Sequence, residues 1–520
     1  MSLGEQPMRD VPSYANPVIP GFHPDPSICR AGDQYVLVSS SFTYLPGLPV
    51  FQSTDLVHWT QVGNVLERPS QLDLSTTART SEGIYAPTVR YRDGKFWLAT
   101  STVGPTGPDM LLLTASDPAG PWSEPVHIPV RAIDPDLAWD DQGRCILHCS
   151  ASGILRAVID EHTGAVVHDP LPTWSGTGMQ YPEGPHLFRR DDFWYLLIAE
   201  GGTERGHAVS LARSRSPFGP WQACPSNPIL SHRSTDHPVQ STGHADLVQA
   251  VDGSWWMVLL GTRPRGATPG WHILGRETFL APLEWEDGWP VVGPLELDMG
   301  APAKRPKSTR SVASTLPAGG LGPEWLCVRR LPSSVLISSG RREARPGQTG
   351  WGTIVGNKDG LDGRSPAFIG RRQQHFEMRF TARARLHTAS VAGIALRMDE
   401  SHYCAVAVRG TAIEASAHIG PLTATLGSTA TPPGEALLWL ETRPADQGPD
   451  IVALGTGEGA GRRLLAELDG RYFSTEVAGG FTGRVVGVFA IDGEADFADV
   501  LYLGDTSSDV APATPSPFSP

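Results

Sequence analysis

The chain has 520 residues, 40% hydrophobic and 19% charged, with a net charge of −13 and a pI near 5.7. That length implies two or more domains, and that composition suits globular domains able to bury large cores. The acidic balance argues against nucleic acid or an anionic membrane surface as a partner, because both demand a basic face, and it leaves a neutral ligand compatible.

Six cysteines, Cys29, Cys145, Cys149, Cys224, Cys327 and Cys404, include no Cys-x-x-Cys pair. Cys145 and Cys149 lie four apart in one strand-like run, so they share a face but are too far apart to bridge. Buried free thiols are expected rather than a disulfide framework. Residues 1–20 have no positively charged start and no apolar run. No signal peptide or transmembrane segment is read there, and a cytoplasmic enzyme is the expectation.

Residues 16–27 open the first of five similar units. Each unit carries a turn-rich anchor at Pro26, Pro87, Pro135, Pro185 or Ala245, and these anchors recur every 48 to 61 residues. A few strand residues follow, then a Gly or Asp turn, then an aromatic or aliphatic strand at 35–40, 96–101, 145–150, 193–200 and 255–262. A unit of about 40–60 residues giving about four strands reads as a propeller blade, so five units predict a five-bladed β-propeller.

Blade equivalence makes a geometric prediction. Asp25 and Asp134 occupy the slot just before their anchors, and Glu183 sits one position earlier. Three carboxylates from three blades then converge on one end of the central channel. Acids placed that way are costly unless solvated, paired or used.

Prolines on both sides fix the backbone of Asp25, which also reads as the cap of a rigid turn. The loop 41–47 is aromatic and bounded by Pro and Gly. Its Phe42 lines a sugar site or anchors its own loop. Trp59, Trp122, Trp221 and Trp285 close four of the units and are expected to pack between blades. Tyr85 precedes the second anchor and should point near the channel mouth. His244 takes the axial slot of the fifth unit, as a holder of water or a cation or as a hydrogen-bonded structural group. Arg276 returns to the channel mouth, where it neutralises crowded carboxylates or binds a sugar hydroxyl.

From about residue 299 the character changes to Pro, Gly and Lys/Arg, read as a linker. Alternating strands return at 376–380, 390–397, 403–408, 436–441 and 484–490, with no helix of length, predicting a β-sandwich or jelly roll. The expected organisation is an N-terminal arm at 1–15, a propeller at 16–300, a linker at 301–325, a sandwich at 326–505 and a disordered Ser/Pro-rich tail at 506–520.

Taken in order, Gly21-Phe22-His23-Pro24-Asp25-Pro26-Ser27, Gly83-Ile84-Tyr85-Ala86-Pro87, Ile133-Asp134-Pro135-Asp136-Leu137, Pro182-Glu183-Gly184-Pro185-His186, Gly243-His244-Ala245-Asp246 and Leu274-Gly275-Arg276-Glu277-Thr278 resemble glycoside hydrolase family 43. The likeness is to its β-xylosidases and α-L-arabinofuranosidases with an appended β-sandwich. It extends to residues 368–375 and to Phe481-Thr482-Gly483. The resemblance implies an inverting hydrolase with Asp25 as general base, Glu183 as general acid and Asp134 tuning the acid. Phe42, Tyr85, Arg276 and His244 become substrate contacts. No cofactor is required, and a Ca2+ near the propeller axis at His244 is the one metal the resemblance allows.

An inverting hydrolase needs one protonated carboxyl for the leaving oxygen and one carboxylate to activate water, about 6.5–9.5 Å apart. An ionised Asp134 is expected to raise Glu183 by like-charge repulsion. The expected reaction is exo-release of terminal β-1,4-xylose from xylo-oligosaccharides, with release of α-L-arabinofuranose from arabinose-substituted oligosaccharides as the alternative. The indole seen at the Tyr85 position of some β-xylosidases is absent, which leaves the sugar open. A retaining fructosidase is disfavoured because its Asn-Asp-Pro-Asn pattern is missing, and a catalytically dead sugar-binding protein is disfavoured by the intact acids. Homo-oligomerisation is left open. The sandwich either closes the active site or binds carbohydrate itself.

Overall fold

The structure, a computed structural model, describes residues 13–300, 321–337, 351–432 and 434–505. The expected tail, the linker as far as residue 320 and the N-terminal arm as far as residue 12 lie outside them. Five four-stranded antiparallel sheets form the first domain. Their innermost strands are Ser27–Ala31, Gly83–Arg92, Ile133–Trp139, Glu183–Arg190 and Gln240–Gln249, each touching the next around a ring that closes from the fifth to the first. The domain is a five-bladed propeller. The second strands, Gln34–Val38, Lys95–Gly104, Cys145–Ser150, Phe193–Glu200 and Trp255–Thr262, coincide with the apolar runs expected from the sequence.

The ring is clasped by the chain's early residues. Tyr14 and Ala15 pair with Met299 and Asp298. Asn16 exchanges hydrogen bonds with the backbone of Leu280, at 2.9 Å in each direction, stitching the entry to blade one onto blade five. Of the blade-closing tryptophans, Trp122 is fully buried, whereas Trp59, Trp221 and Trp285 are half-buried at blade margins. All six cysteines are buried and free.

Each of the second to fifth inner strands carries a register shift at its start, between Ile84 and Pro87, Ile133 and Asp136, Glu183 and His186, and Gly243 and Asp246. A bulge re-aims side chains and twists the strand. Asp25, Asp134 and His244, one residue before their anchors, take left-handed φ values of 56°, 53° and 48°. Asp tolerates that region better than most residues, and a following proline disfavours the right-handed helical alternative. In blades one, three and five this backbone device turns Asp25, Asp134 and His244 toward the same channel mouth, while the same slot holds Ala86 in blade two and Gly184 in blade four.

One position past each anchor, Ser27, Thr88, Asp136, His186 and Asp246 form a second ring deeper in the channel. Arg90 fills its centre. Its guanidinium lies 2.5 Å from Asp136, 2.8 Å from Asp246 and 2.9 Å from Nδ1 of His186. Burial pushes the Asp136 carboxyl up, but Arg90 outweighs it and holds the group at about 2.

The second domain is a sandwich of an eight-stranded and a seven-stranded sheet around one apolar core. Its only α-helix among the described residues is one turn, Thr475–Ala478. Sequence patterning located Glu377–Leu386, Val391–Arg397, His402–Arg409, Ala436–Arg443 and Val485–Ile491; it missed, among others, Phe368–Arg372, Ala412–Ile419 and Gly493–Asp505. The edge strand of the larger sheet comes from the propeller: Tyr44 and Leu45 of blade one pair with Val328 and Cys327. The two domains therefore share a sheet, and the shared strand begins two residues after Phe42.

Candidate active site

Asp25 is buried, and two donors and an imidazole meet its carboxylate. Ser40 Oγ donates at 2.5 Å, Arg276 Nη1 at 3.1 Å, and His244 Nδ1 lies 3.4 Å away. Burial alone would push this carboxyl up. Arg276, His244 and the Ser40 hydrogen bond outweigh it and hold the group below its usual value. The Asp25 loop is fixed from both domains. Gly21 N–H donates to Glu277, itself gripped by Arg263, and the Gln373 carbonyl packs so closely that any Cβ on Gly21 would lie 2.6 Å from it.

Glu183 and Asp134 behave differently. The Glu183 side chain is 23% exposed, toward the cavity, and enclosed elsewhere. Burial first, and the Asp25 charge second, push it up to about 7. The expected freely ionised Asp134 does not fit this setting. Burial, then Glu183 and Asp25, push its own carboxyl well above the usual value. The two acids titrate as an interacting pair that retains a proton near neutral pH. The Gly184 N–H donates to Asp134 Oδ2 at 3.1 Å, which favours the ionised form of Asp134 and biases the proton toward Glu183.

The three acids share one cavity of about 330 Å³ with Phe42, Tyr85, Tyr181, Thr203, His244, Arg276 and Phe481. Phe481 comes from the sandwich. Its ring stacks on Phe42 at 5.7 Å and meets Tyr85 edge-on at 6.1 Å. Arg276 runs beneath this cluster, donating to Thr203 Oγ1 at 3.0 Å and to the Phe481 carbonyl at 3.3 Å. Ser81 Oγ, on the loop before Tyr85, accepts from Phe481 N–H at 3.0 Å. The site is a walled pocket with flat apolar faces, charged groups at its base and one wall contributed by the second domain.

Residues 14–290 match the description "Glycosyl hydrolases family 43", and residues 319–503 match "Beta xylosidase C-terminal Concanavalin A-like domain". The chain belongs to glycoside hydrolase family 43. A non-reducing end alpha-L-arabinofuranosidase of Bacteroides ovatus is 35% identical over 504 residues, 92% of this chain and 91% of that protein. A xylosidase/arabinosidase of Butyrivibrio fibrisolvens is 45% identical over 297 residues, 54% of this chain and 56% of that protein. The crystal structure of a xylan beta-1,4-xylosidase from Bacillus halodurans C-125 superposes with a TM-score of 0.83 at 29% identity, covering 94% of this chain and 100% of that one.

All seven residues singled out from the sequence meet in this family 43 pocket. The Ca2+ considered for His244 does not fit the donors present. Calcium takes six to eight oxygen ligands. His244 turns Nδ1 to Asp25, and its ring packs so tightly on Gly184 that a Cβ there would lie 2.7 Å away. Below it, the axial carboxylates Asp136 and Asp246 are already neutralised by Arg90. Sequence reading passed over Ser40, Arg90 and Tyr181, and gave Phe481 no role. The ring that Arg90 fills had a readable signal, since the slot after each anchor holds a polar residue in all five units, but Arg90 itself had none. Phe481 had none beyond the family likeness, because its place depends on how two domains dock.

Proposed function

We propose that this family 43 glycoside hydrolase removes one terminal pentosyl residue per encounter from the non-reducing end of xylo-oligosaccharides, with inversion at the anomeric carbon. The observation that carries the reading is the walled pocket that holds three carboxylates from three blades beneath Phe481 of the sandwich. A pocket of about 330 Å³, closed on one side by a second domain, accepts a chain end rather than a chain middle. Asp25, held ionised by Arg276, His244 and the Ser40 hydrogen bond, activates the attacking water. Glu183, held protonated near neutral pH, gives its proton to the leaving oxygen. Asp134 keeps that proton in the site and, through Gly184, on the side of Glu183. Arg276 orients Asp25 and offers the remaining N–H of Nη2 to a sugar hydroxyl.

A second reading, release of α-L-arabinofuranose, is favoured by one specific observation: the Bacteroides ovatus arabinofuranosidase matches both domains over 92% of the chain. Paired assays on p-nitrophenyl β-D-xylopyranoside and p-nitrophenyl α-L-arabinofuranoside, with xylobiose as the natural linkage, separate the two. Proton NMR of the first product formed tests inversion; an anomer of the same configuration as the substrate overturns it.

A further inference from the structure

His207 does not line the pocket, yet it is buried beside the acid. It precedes the third strand of blade four, Ala208–Ser214, and is 1% exposed. Its Nδ1 lies 3.2 Å from the Ser241 carbonyl oxygen. A carbonyl only accepts, so Nδ1 carries the proton. Burial pushes the ring down to about 3, so it stays neutral over the working range. Nε2 is therefore a bare lone pair. It is sealed from solvent, has no hydrogen-bond partner, and lies 3.9 Å from Glu183 Oε1. The ring cannot retreat, because it packs against Gly243 so closely that a Cβ there would lie 2.3 Å from it.

A buried acceptor without a donor is costly, because it has given up its hydrogen bond to water. The neighbouring Glu183 has a proton to donate when it is an acid and nothing to donate when it is ionised. We propose that His207 is a positioning residue for the general acid, its Nε2 accepting the carboxyl proton of Glu183 and so holding that side chain protonated and oriented until substrate arrives. The hydrogen bond forms by a small rotation of the carboxyl. When the leaving oxygen takes the proton, the lone pairs of Nε2 and the new carboxylate face each other unfavourably, which drives reprotonation from water for the next turnover. The other titratable and charged groups that line the cavity with Glu183 are Asp25 from blade one, Asp134 from blade three, His244 from blade five, Arg276 from the following loop, and Glu204. His244 is also buried and neutral, but its Nδ1 is turned to Asp25; of the two imidazoles only His207 keeps a buried nitrogen with no hydrogen-bond partner.

The inference rests on Glu183 being the acid, and its test separates the two claims. His207→Phe removes the acceptor and keeps a flat ring; His207→Gln returns an acceptor oxygen. With His207→Phe, the alkaline limb of kcat/KM should move at least 0.5 pH unit lower. Turnover should fall about tenfold on xylobiose and less than threefold on 2,4-dinitrophenyl xyloside, the range expected when general acid catalysis is weakened rather than lost. His207→Gln should restore the limb. An unmoved limb, or equal losses on both substrates, overturns the proposal. In the unaltered enzyme, 15N NMR of labelled histidine should show His207 Nε2 as the unprotonated nitrogen, its shift responding as Glu183 titrates. A protonated Nε2, or a shift that ignores that titration, overturns it whether or not the variants fold. If Glu183→Ala loses activity equally on good and poor leaving groups, it is the acid assignment that fails, and the NMR result still reports on the hydrogen bond.

Discussion

Arg276 Nη1 donates to Asp25 Oδ1 at 3.1 Å across 251 residues of chain, and the same guanidinium binds the Phe481 carbonyl. One side chain thereby ties the water-activating carboxylate to the domain that walls the pocket.

Arg276→Met should raise the Asp25 pKa by removing its main compensating charge. Asp25 acts ionised, so the acid limb of kcat/KM should move to higher pH. The loss at pH 5 should then exceed the loss at pH 7. Arg276→Lys should recover only part of the activity, because an ammonium cannot reproduce the three directed contacts of the guanidinium. A pH–rate profile of the three proteins checks this.

The unaltered enzyme should lose activity on the alkaline side near pH 7. Glu183 is held at about 7 and works protonated, so raising the pH through that value removes the acid. On the acid side, activity should persist below the usual carboxylate range near 4, because Asp25 is depressed and stays ionised. A profile of kcat/KM from pH 3 to 9 gives both limbs.

Arg90→Ala should destabilise the propeller by about 3–5 kcal/mol, since it strands Asp136 and Asp246 as buried unpaired charges. Arg90 touches none of the pocket residues. Urea unfolding should therefore show a large loss of stability in protein whose KM, when folded, is close to that of the parent.

Phe481→Ala opens the wall that the sandwich contributes. Removing a ring stacked on Phe42 should raise KM for xylobiose roughly tenfold, on the scale of burying one aromatic side chain. It should also let longer internal segments enter, seen as oligosaccharide products other than the monosaccharide.

Much of this was legible in the sequence because a propeller repeats itself. The anchors at Pro26, Pro87, Pro135, Pro185 and Ala245 gave the blade number, and positions relative to them placed Asp25, Asp134 and Glu183 at one channel mouth before any distance was known. What repeats also hid something. Asp136, His186 and Asp246 occupy an equally regular slot, but their meaning depends on Arg90, which comes from further along one strand and has no counterpart in the other blades. The raised, interacting carboxyls of Asp134 and Glu183 were not legible either, because they depend on burial and on the spacing of three acids. The sandwich was the least readable part. Ala412–Ile419 alternates mainly among small residues, and the Phe481 loop is ordered by contacts with Ser81 and Arg276, hundreds of residues away in the chain.

The central claim is that Glu183 delivers the proton to the leaving group, and the most direct measurement is the leaving-group dependence of Glu183→Ala. Across a series of aryl xylosides, turnover should fall by about 10²–10⁴-fold for poor leaving groups and be largely kept for dinitrophenyl, which needs little protonation. A uniform loss across the series would contradict the account.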